Sequence, residues 1–186
     1  MKYRTIVADP PWEYPEGFGI GRIPKGAQHD GRRQELPYSS MTLTEIKALP
    51  IMELADPEGA HLYLWTTNRY LRVSFEVVDA WGFRFGQVIV WAKKPMSGVL
   101  GGAFSPNVEF VLFCRRGKLP HLDRQPSQWY TWKRQTRYHS RKPDGFLDLV
   151  ERVSPGPYLE LFARRQRLGW DTWGNEALEH VTLGIS

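Results

Sequence analysis

The chain has 186 residues, 41% apolar and 24% charged, which is globular composition and enough length for one domain with a full core. A net charge of +5 favours a polyanionic partner, and eight tryptophans are many for this length, so several are expected on surfaces that bind something flat. The single cysteine, Cys114, excludes an internal disulfide, no Cys/His cluster has zinc spacing, and no apolar run approaches a membrane span or a signal peptide. A cytoplasmic protein without a metal is expected.

Thr5 to Asp9 reads as a buried first strand that stops at Asp9-Pro10-Pro11-Trp12, because proline cannot continue a central strand. Residues 13–40 are rich in glycine and charge, lack a period and read as a loop. Thr42-Leu43-Thr44-Glu45 has the capping-box form and opens a helix that ends before Asp56. A second strand is predicted over His61–Thr67, then a helix capped by Asn68 with Leu71, Phe75 and Val78 on one face, ended by Gly82. Phe85–Trp91 and Glu109–Cys114 are the third and fourth strands, and residues 94–108 and 115–141 are loops. Pro143 suits the first turn of a helix whose stripe is Phe146, Leu149, Val150 and Val153. Tyr158–Ala163 is the last predicted strand, and Trp170 and Trp173 lie in the tail, where they can pack against the sheet. Trp65 and Trp91 are expected in the strand core, as is Cys114.

Alternating strands and helices point to an α/β fold with a mostly parallel sheet in one domain, residues 1–186. Ligands of such sheets sit beyond the carboxyl ends of the strands. Asp9, Thr67, Lys93, Arg115 and Arg164 all follow predicted strand ends, so they are expected to converge on one edge. At Asp9, a carboxylate and the carbonyl of Pro10 offer acceptors without donors, beside an aromatic ring. That combination can hold an exocyclic amino group such as N6 of adenine with its lone pair directed outward, so that positioning supplies much of the rate. A plain Asp-Pro turn is the other reading of the same four residues.

Asp9-Pro10-Pro11-Trp12, Leu64-Trp65-Thr66-Thr67-Asn68, Val90-Trp91-Ala92-Lys93-Lys94, Ser140-Arg141-Lys142-Pro143-Asp144, Glu160-Leu161-Phe162-Ala163-Arg164, Gly169-Trp170 and Trp173-Gly174-Asn175-Glu176 occur in this order over nearly the whole chain. In these blocks the sequence resembles the MT-A70 family of S-adenosylmethionine-dependent N6-adenine methyltransferases. The resemblance implies a Rossmann-like sheet in permuted order, the catalytic strand first and the cofactor strand, Tyr158–Ala163, late. It implies that Asp9 and Pro10 hold the target N6, that Pro11 shapes the turn and that Trp12 walls the base pocket. It implies contacts to S-adenosylmethionine from Asp9, Lys142, Arg164, Asn175 and Glu176. No Gly-x-Gly follows the Tyr158 strand, where Ala163-Arg164-Arg165-Gln166-Arg167 stands. Related enzymes form pairs, which makes a homodimer an expectation.

Residues 115–142 carry nine Lys/Arg against one acid, Asp123, with Trp129, Tyr130, Trp132 and Tyr138 interleaved. Basic side chains can neutralise phosphates while rings stack on bases. Arg116, Lys118, Arg124, Trp129, Trp132, Lys133, Arg134 and Arg137 are therefore expected to contact nucleic acid, with Arg32 and Arg33 as a second group. The expected reaction is methyl transfer to adenine N6 in DNA, the base being flipped from a duplex. RNA adenosine is the alternative substrate, and a non-catalytic nucleic-acid-binding partner subunit the alternative role. The intact Asp9 speaks against that last reading.

Overall fold

Thr5–Ala8, strand β1, is buried on both faces and sits at the centre of a seven-stranded sheet. The protein is described by a computed structural model over residues 2–13, 40–94, 103–133, 142–164 and 166–174. A short run of Thr, Ile, Val and Ala buried on both faces is what a central parallel strand requires.

The capping box forms as the sequence predicts: Thr42 Oγ1 accepts from the Glu45 N–H, and Glu45 accepts from the Thr42 N–H at 2.7 Å. The helix it opens is shorter than expected. It splits into α1 (Leu43–Ala48) and α2 (Ile51–Leu54), with Leu49 in extended conformation. Pro50 is the reason, since its ring disfavours helical backbone in the residue before it. β2 (Gly59–Thr66) follows, then α3 (Leu71–Ala80). Asn68 does not cap α3. A turn bonding Tyr70 N–H to Thr67 O at 3.0 Å intervenes, and Tyr70 takes the N-cap position without its side chain capping the helix. β3 (Arg84–Ala92), β4 (Val108–Gly117) and the two-residue β5 (Trp129–Tyr130) come next. α4 (Asp144–Val153), β6 (Tyr158–Leu161) and β7 (Trp170–Trp173) complete the chain order. The tail tryptophans thus belong to an added edge strand, with Trp170 packed into the core.

The sheet order is β5-β3-β4-β2-β1-β6-β7. β1 is parallel to β2 and β6, β6 to β7, and β3 to β5, whereas β4 is antiparallel to both β2 and β3. Helices cover both faces. Ile6, Leu62, Leu64, Leu112 and Cys114 pack with Ile46, Ile51, Val77 and Trp81 on the face of α1, α2 and α3. Val7, Tyr63, Trp65, Trp91, Val111 and Phe113 pack with Phe146, Leu147 and Val150 of α4 on the other. Each fully buried Leu, Ile or Val contributes about 1.5–3 kcal/mol against its exposed state, so these two layers hold the strand ends in place.

A buried polar chain crosses the α4 layer. His61 Nδ1 lies 2.7 Å from Ser154 Oγ, Tyr63 Oη lies 2.7 Å from the same oxygen, and His61 Nε2 lies 3.2 Å from Leu119 O. One arrangement satisfies all three groups: Nε2–H donates to Leu119 O, Ser154 donates to Nδ1, and Tyr63 donates to Ser154. Among the described residues no helix is long and apolar enough to cross a membrane.

Candidate active site

The end of β1 defines the site. Ala8 is fully buried and Asp9 is the next residue, so the central strand delivers a carboxylate to the sheet edge. The two prolines then force a tight reversal in which Trp12 N–H donates to Pro10 O at 2.9 Å. That bond uses one of the two lone pairs of the Pro10 carbonyl and leaves the other. Met41 N–H donates to Pro11 O at 2.8 Å and ties the turn to the entry of α1.

Asp9 belongs to a chain of alternating charges. Lys142 Nζ lies 3.0 Å from Asp9 Oδ1 and 3.1 Å from Glu109 Oε2, and Lys93 Nζ pairs with Glu109 Oε1. The side chains of Asp9, Lys142 and Glu109 are only 16–21% exposed, so water screens these contacts weakly. Burial raises the Asp9 pKa above the ordinary carboxylate value. The Lys142 ammonium pulls it back and the Glu109 charge adds to the rise. Burial also pushes Glu109 up, but Lys142 and Lys93 together outweigh it and hold Glu109 below its ordinary value. For Lys142, burial opposes the charge and the two carboxylates overcome it, so its ammonium is reinforced.

Aromatic rings wall this charged edge. Lys142 Nζ sits 5.0 Å from the centre of the Trp65 ring, and Lys93 Nζ 4.7 Å from that of Trp91, within cation–π range. Trp12, 6% exposed, stacks on Tyr70 with centroids 5.2 Å apart and planes 11° apart. Tyr70 in turn donates its hydroxyl to Glu13 O. Trp12 is therefore a packed wall of the turn and not an exposed stacking face.

The antiparallel β4 changes which predicted residues meet. Asp9, Thr67 and Lys93 do lie at one edge. Arg115 does not: it pairs with His61 at the start of β2, on the opposite edge. Reversal of β4 brings its first residues, with Glu109, to the Asp9 edge instead. Arg116 and Lys118 share the far edge, where Arg116 Nη1 donates to Met52 O at 2.8 Å. Arg124 is exposed in the segment that runs between the edges, and Trp129 and Lys133 are exposed near the Asp9 edge. Trp132 is half-buried, stacked on Tyr130 at 4.5 Å and edge-on to Phe146 at 5.8 Å, so its ring is taken up internally. Arg164 follows β6 and its charge acts on Asp9. Arg32, Arg33, Arg134, Arg137, Asn175 and Glu176 lie outside the described residues. Glu109 and Tyr70 are the site residues that sequence reasoning missed. Glu109 opens a predicted strand, and only the strand's reversed direction puts it here.

The donor set fits S-adenosylmethionine. A ligand carrying both an ammonium and a carboxylate would find an acceptor in Asp9 and a donor in Lys142. At the neighbouring strand end the backbone turns sharply: Phe162, a non-glycine residue, takes φ +61°, and Ala163 N–H donates to Trp173 O at 3.0 Å. Such left-handed backbone costs of order 1–3 kcal/mol and clusters at functional turns.

A helix-covered, mostly parallel sheet with this acidic proline turn at the end of its central strand is a Rossmann-like methyltransferase. The MT-A70 family model matches residues 3–176, and the chain belongs to that family, adenine-N6 methyltransferases that draw their methyl group from S-adenosylmethionine. It is 28% identical over 184 residues to the type II methyltransferase M.MunI of a Mycoplasma species, an alignment covering 94% of this chain and 78% of that protein. It is also 28% identical over 184 residues to the human N(6)-adenosine-methyltransferase catalytic subunit METTL3, covering 94% of this chain and 28% of the relative. With a putative N(6)-adenosine-methyltransferase MT-A70-like protein of Medicago truncatula the identity is 29%, over 26% of the relative's length. The chain thus spans most of M.MunI and about a quarter of the plant and human relatives.

Proposed function

We propose that this chain methylates N6 of adenine in DNA. The observation that carries the chemistry is the Asp9 carboxylate, set beside the Pro10 carbonyl and held by Lys142 at 3.0 Å. Bound S-adenosylmethionine supplies an electrophilic methyl group on a sulfonium. Asp9 and Pro10 O accept the two N6–H groups of the adenine, which turns the nitrogen lone pair toward that methyl. Lys142 and Glu109 fix the carboxylate in place, so attack needs little reorganisation. With S-adenosylmethionine held beside Asp9 and Lys142, its sulfonium would give up the methyl group to N6, which would then have to shed a proton. A carboxylate whose pKa stands above the ordinary range is a competent first acceptor for it, before solvent.

DNA is favoured because the similarity runs over 78% of the length of M.MunI, which in our reading acts on DNA as a type II methyltransferase. RNA adenosine is the second reading, favoured by the relatives named as N(6)-adenosine-methyltransferases. The test is transfer from labelled S-adenosylmethionine to matched DNA and RNA pools, with N6-methyladenine read by mass spectrometry. Product in DNA alone supports the proposal, and product in RNA alone replaces it with the second reading. No product in either pool, with cofactor still bound, overturns the claim that this chain alone is the enzyme.

A further inference from the structure

Two aromatic side chains stand exposed on the Asp9 edge of the sheet, and the core does not account for them. Trp129 is 62% exposed and Phe104 is 89% exposed. Neither belongs to the core clusters. Large rings left in water forgo the about 1.5–3 kcal/mol that burial would provide.

Trp129 is held by ordered backbone, and Phe104 stands four residues before the start of β4. Trp129 pairs with Val90 in β5, Val90 N–H donates to Gln128 O at 2.7 Å, and Ser127 Oγ bonds both the N–H and the carbonyl of Trp129 at 3.1 and 2.9 Å. The next residue, Tyr130, is pinned by its stack on Trp132 and by donation to Ser127 O at 2.9 Å. Phe104 lies just ahead of β4, where Asn107 N–H bonds Ser105 O at 2.9 Å and Lys93 N–H bonds Asn107 O at 2.8 Å.

Sheet geometry gives their spacing. From β1 the order outward is β2, β4, β3, β5. With about 4.8 Å between neighbouring strands, the β4 entry is about 10 Å from Asp9 along the edge and β5 about 19 Å. Asn68, Lys94 and Lys133 are exposed along the same line. Glu109, an acid on this line, is largely buried and paired with two lysines. Separate rings ahead of β4 and in β5, with exposed lysines along the same edge, do not make the contiguous apolar patch that a protein partner needs. They match a polyanion carrying flat bases.

We infer that the nucleic acid flanking the target adenine runs along this edge from Asp9 toward β5, with Phe104 and Trp129 stacking on bases of that flank. This rests on the proposed nucleic-acid substrate and adds its path. About 19 Å is five to six base steps at 3.4 Å per step, and fewer in a stretched strand.

Phe104→Ala, Trp129→Ala, the double variant and the conservative Trp129→Phe test it, each with a long substrate and with one trimmed to two nucleotides on either side of the adenine. On the long substrate each alanine variant is expected to raise KM about tenfold with kcat within twofold of wild type, and Trp129→Phe to restore most of the loss. On the trimmed substrate wild type itself has the raised KM, and the alanine changes add nothing. Unchanged KM on the long substrate, or equal added loss on both lengths, overturns the path. Binding of fluorescent oligonucleotides of both lengths is measured alongside and needs no turnover. Length-dependent binding through these rings without methyl transfer would overturn the function and leave the path standing. Normal methylation with unchanged affinity in both alanine variants would do the reverse.

Discussion

Asp9 and Glu109 share one counter-ion: Lys142 Nζ lies 3.0 Å from the first and 3.1 Å from the second. The two carboxylates come from strands that run in opposite directions, and a residue just ahead of α4 joins them. Two acids around one lysine explain why burial can lift the Asp9 pKa while Glu109 stays low, since Glu109 has Lys93 as a second cation.

Asp9→Asn should separate activity from stability. A raised carboxylate pKa means the folded state holds the proton more tightly than the unfolded chain, so the ionised group costs stability at neutral pH. The amide removes that cost but puts N–H donors where acceptors are needed. Methyl transfer should fall by about 10²–10³-fold, the scale seen when one preorganised polar contact is lost, and the melting temperature should not drop. Retained turnover in Asp9→Asn would remove Asp9 from the mechanism.

Lys142→Met and Glu109→Gln should move the pH profile in opposite directions. Activity needs ionised Asp9, so kcat should fall as pH drops through its raised pKa. Lys142 is the strongest influence lowering that pKa, and its loss should shift the midpoint upward. Glu109 raises it, and Glu109→Gln should shift the midpoint downward. Both variants should also lose turnover at the plateau through looser positioning. Profiles of kcat from pH 5 to 9 would check this, and parallel shifts would contradict it.

His61 should make the fold acid-sensitive. Burial is the main cause that lowers its pKa to about 4 from 6.5. Between these values the unfolded chain binds a proton that the folded chain does not. Stability should therefore be full above pH 6.5 and fall by about 3 kcal/mol as pH drops to 4. His121, also lowered by burial, adds in the same direction. Urea unfolding at pH 7 and pH 4.5 measures this, and His61→Gln should flatten the difference.

Gly117→Ala should destabilise without touching the site. Gly117 has φ +59° and an added Cβ would meet Glu58 O at 2.1 Å. Strained backbone alone costs of order 1–3 kcal/mol, so at about 2–4 °C per kcal/mol for a chain of 186 residues the melting temperature should fall by about 2–12 °C. KM for S-adenosylmethionine should stay as in wild type, because Gly117 lies at the far edge.

Elements whose signals are local were legible in the sequence. The capping box at Thr42 and Glu45, the α4 stripe and the breaker Ser154-Pro155-Gly156-Pro157 all form where their residues predict. Asp9 and Lys142 were legible through their motif blocks. Strand direction was not, because apolar β4 looks the same read either way. That is why Arg115 was expected at the site and Glu109 was not. The two-residue β5 has too few residues for a pattern, and its place rests on one ladder with Val90 and Trp91.

The β3–β4 hairpin has a consequence for divergence. Lys93 leaves one arm and Glu109 enters the other, and main-chain pairing of Trp91 with Glu109 and Ala92 with Val108 registers the two before the connecting segment begins. Residues 94–107 can therefore change in length and composition while the charged pair behind them stays in register. The charged pair at the catalytic edge is thus placed by main-chain register, independently of the residues that join the two arms.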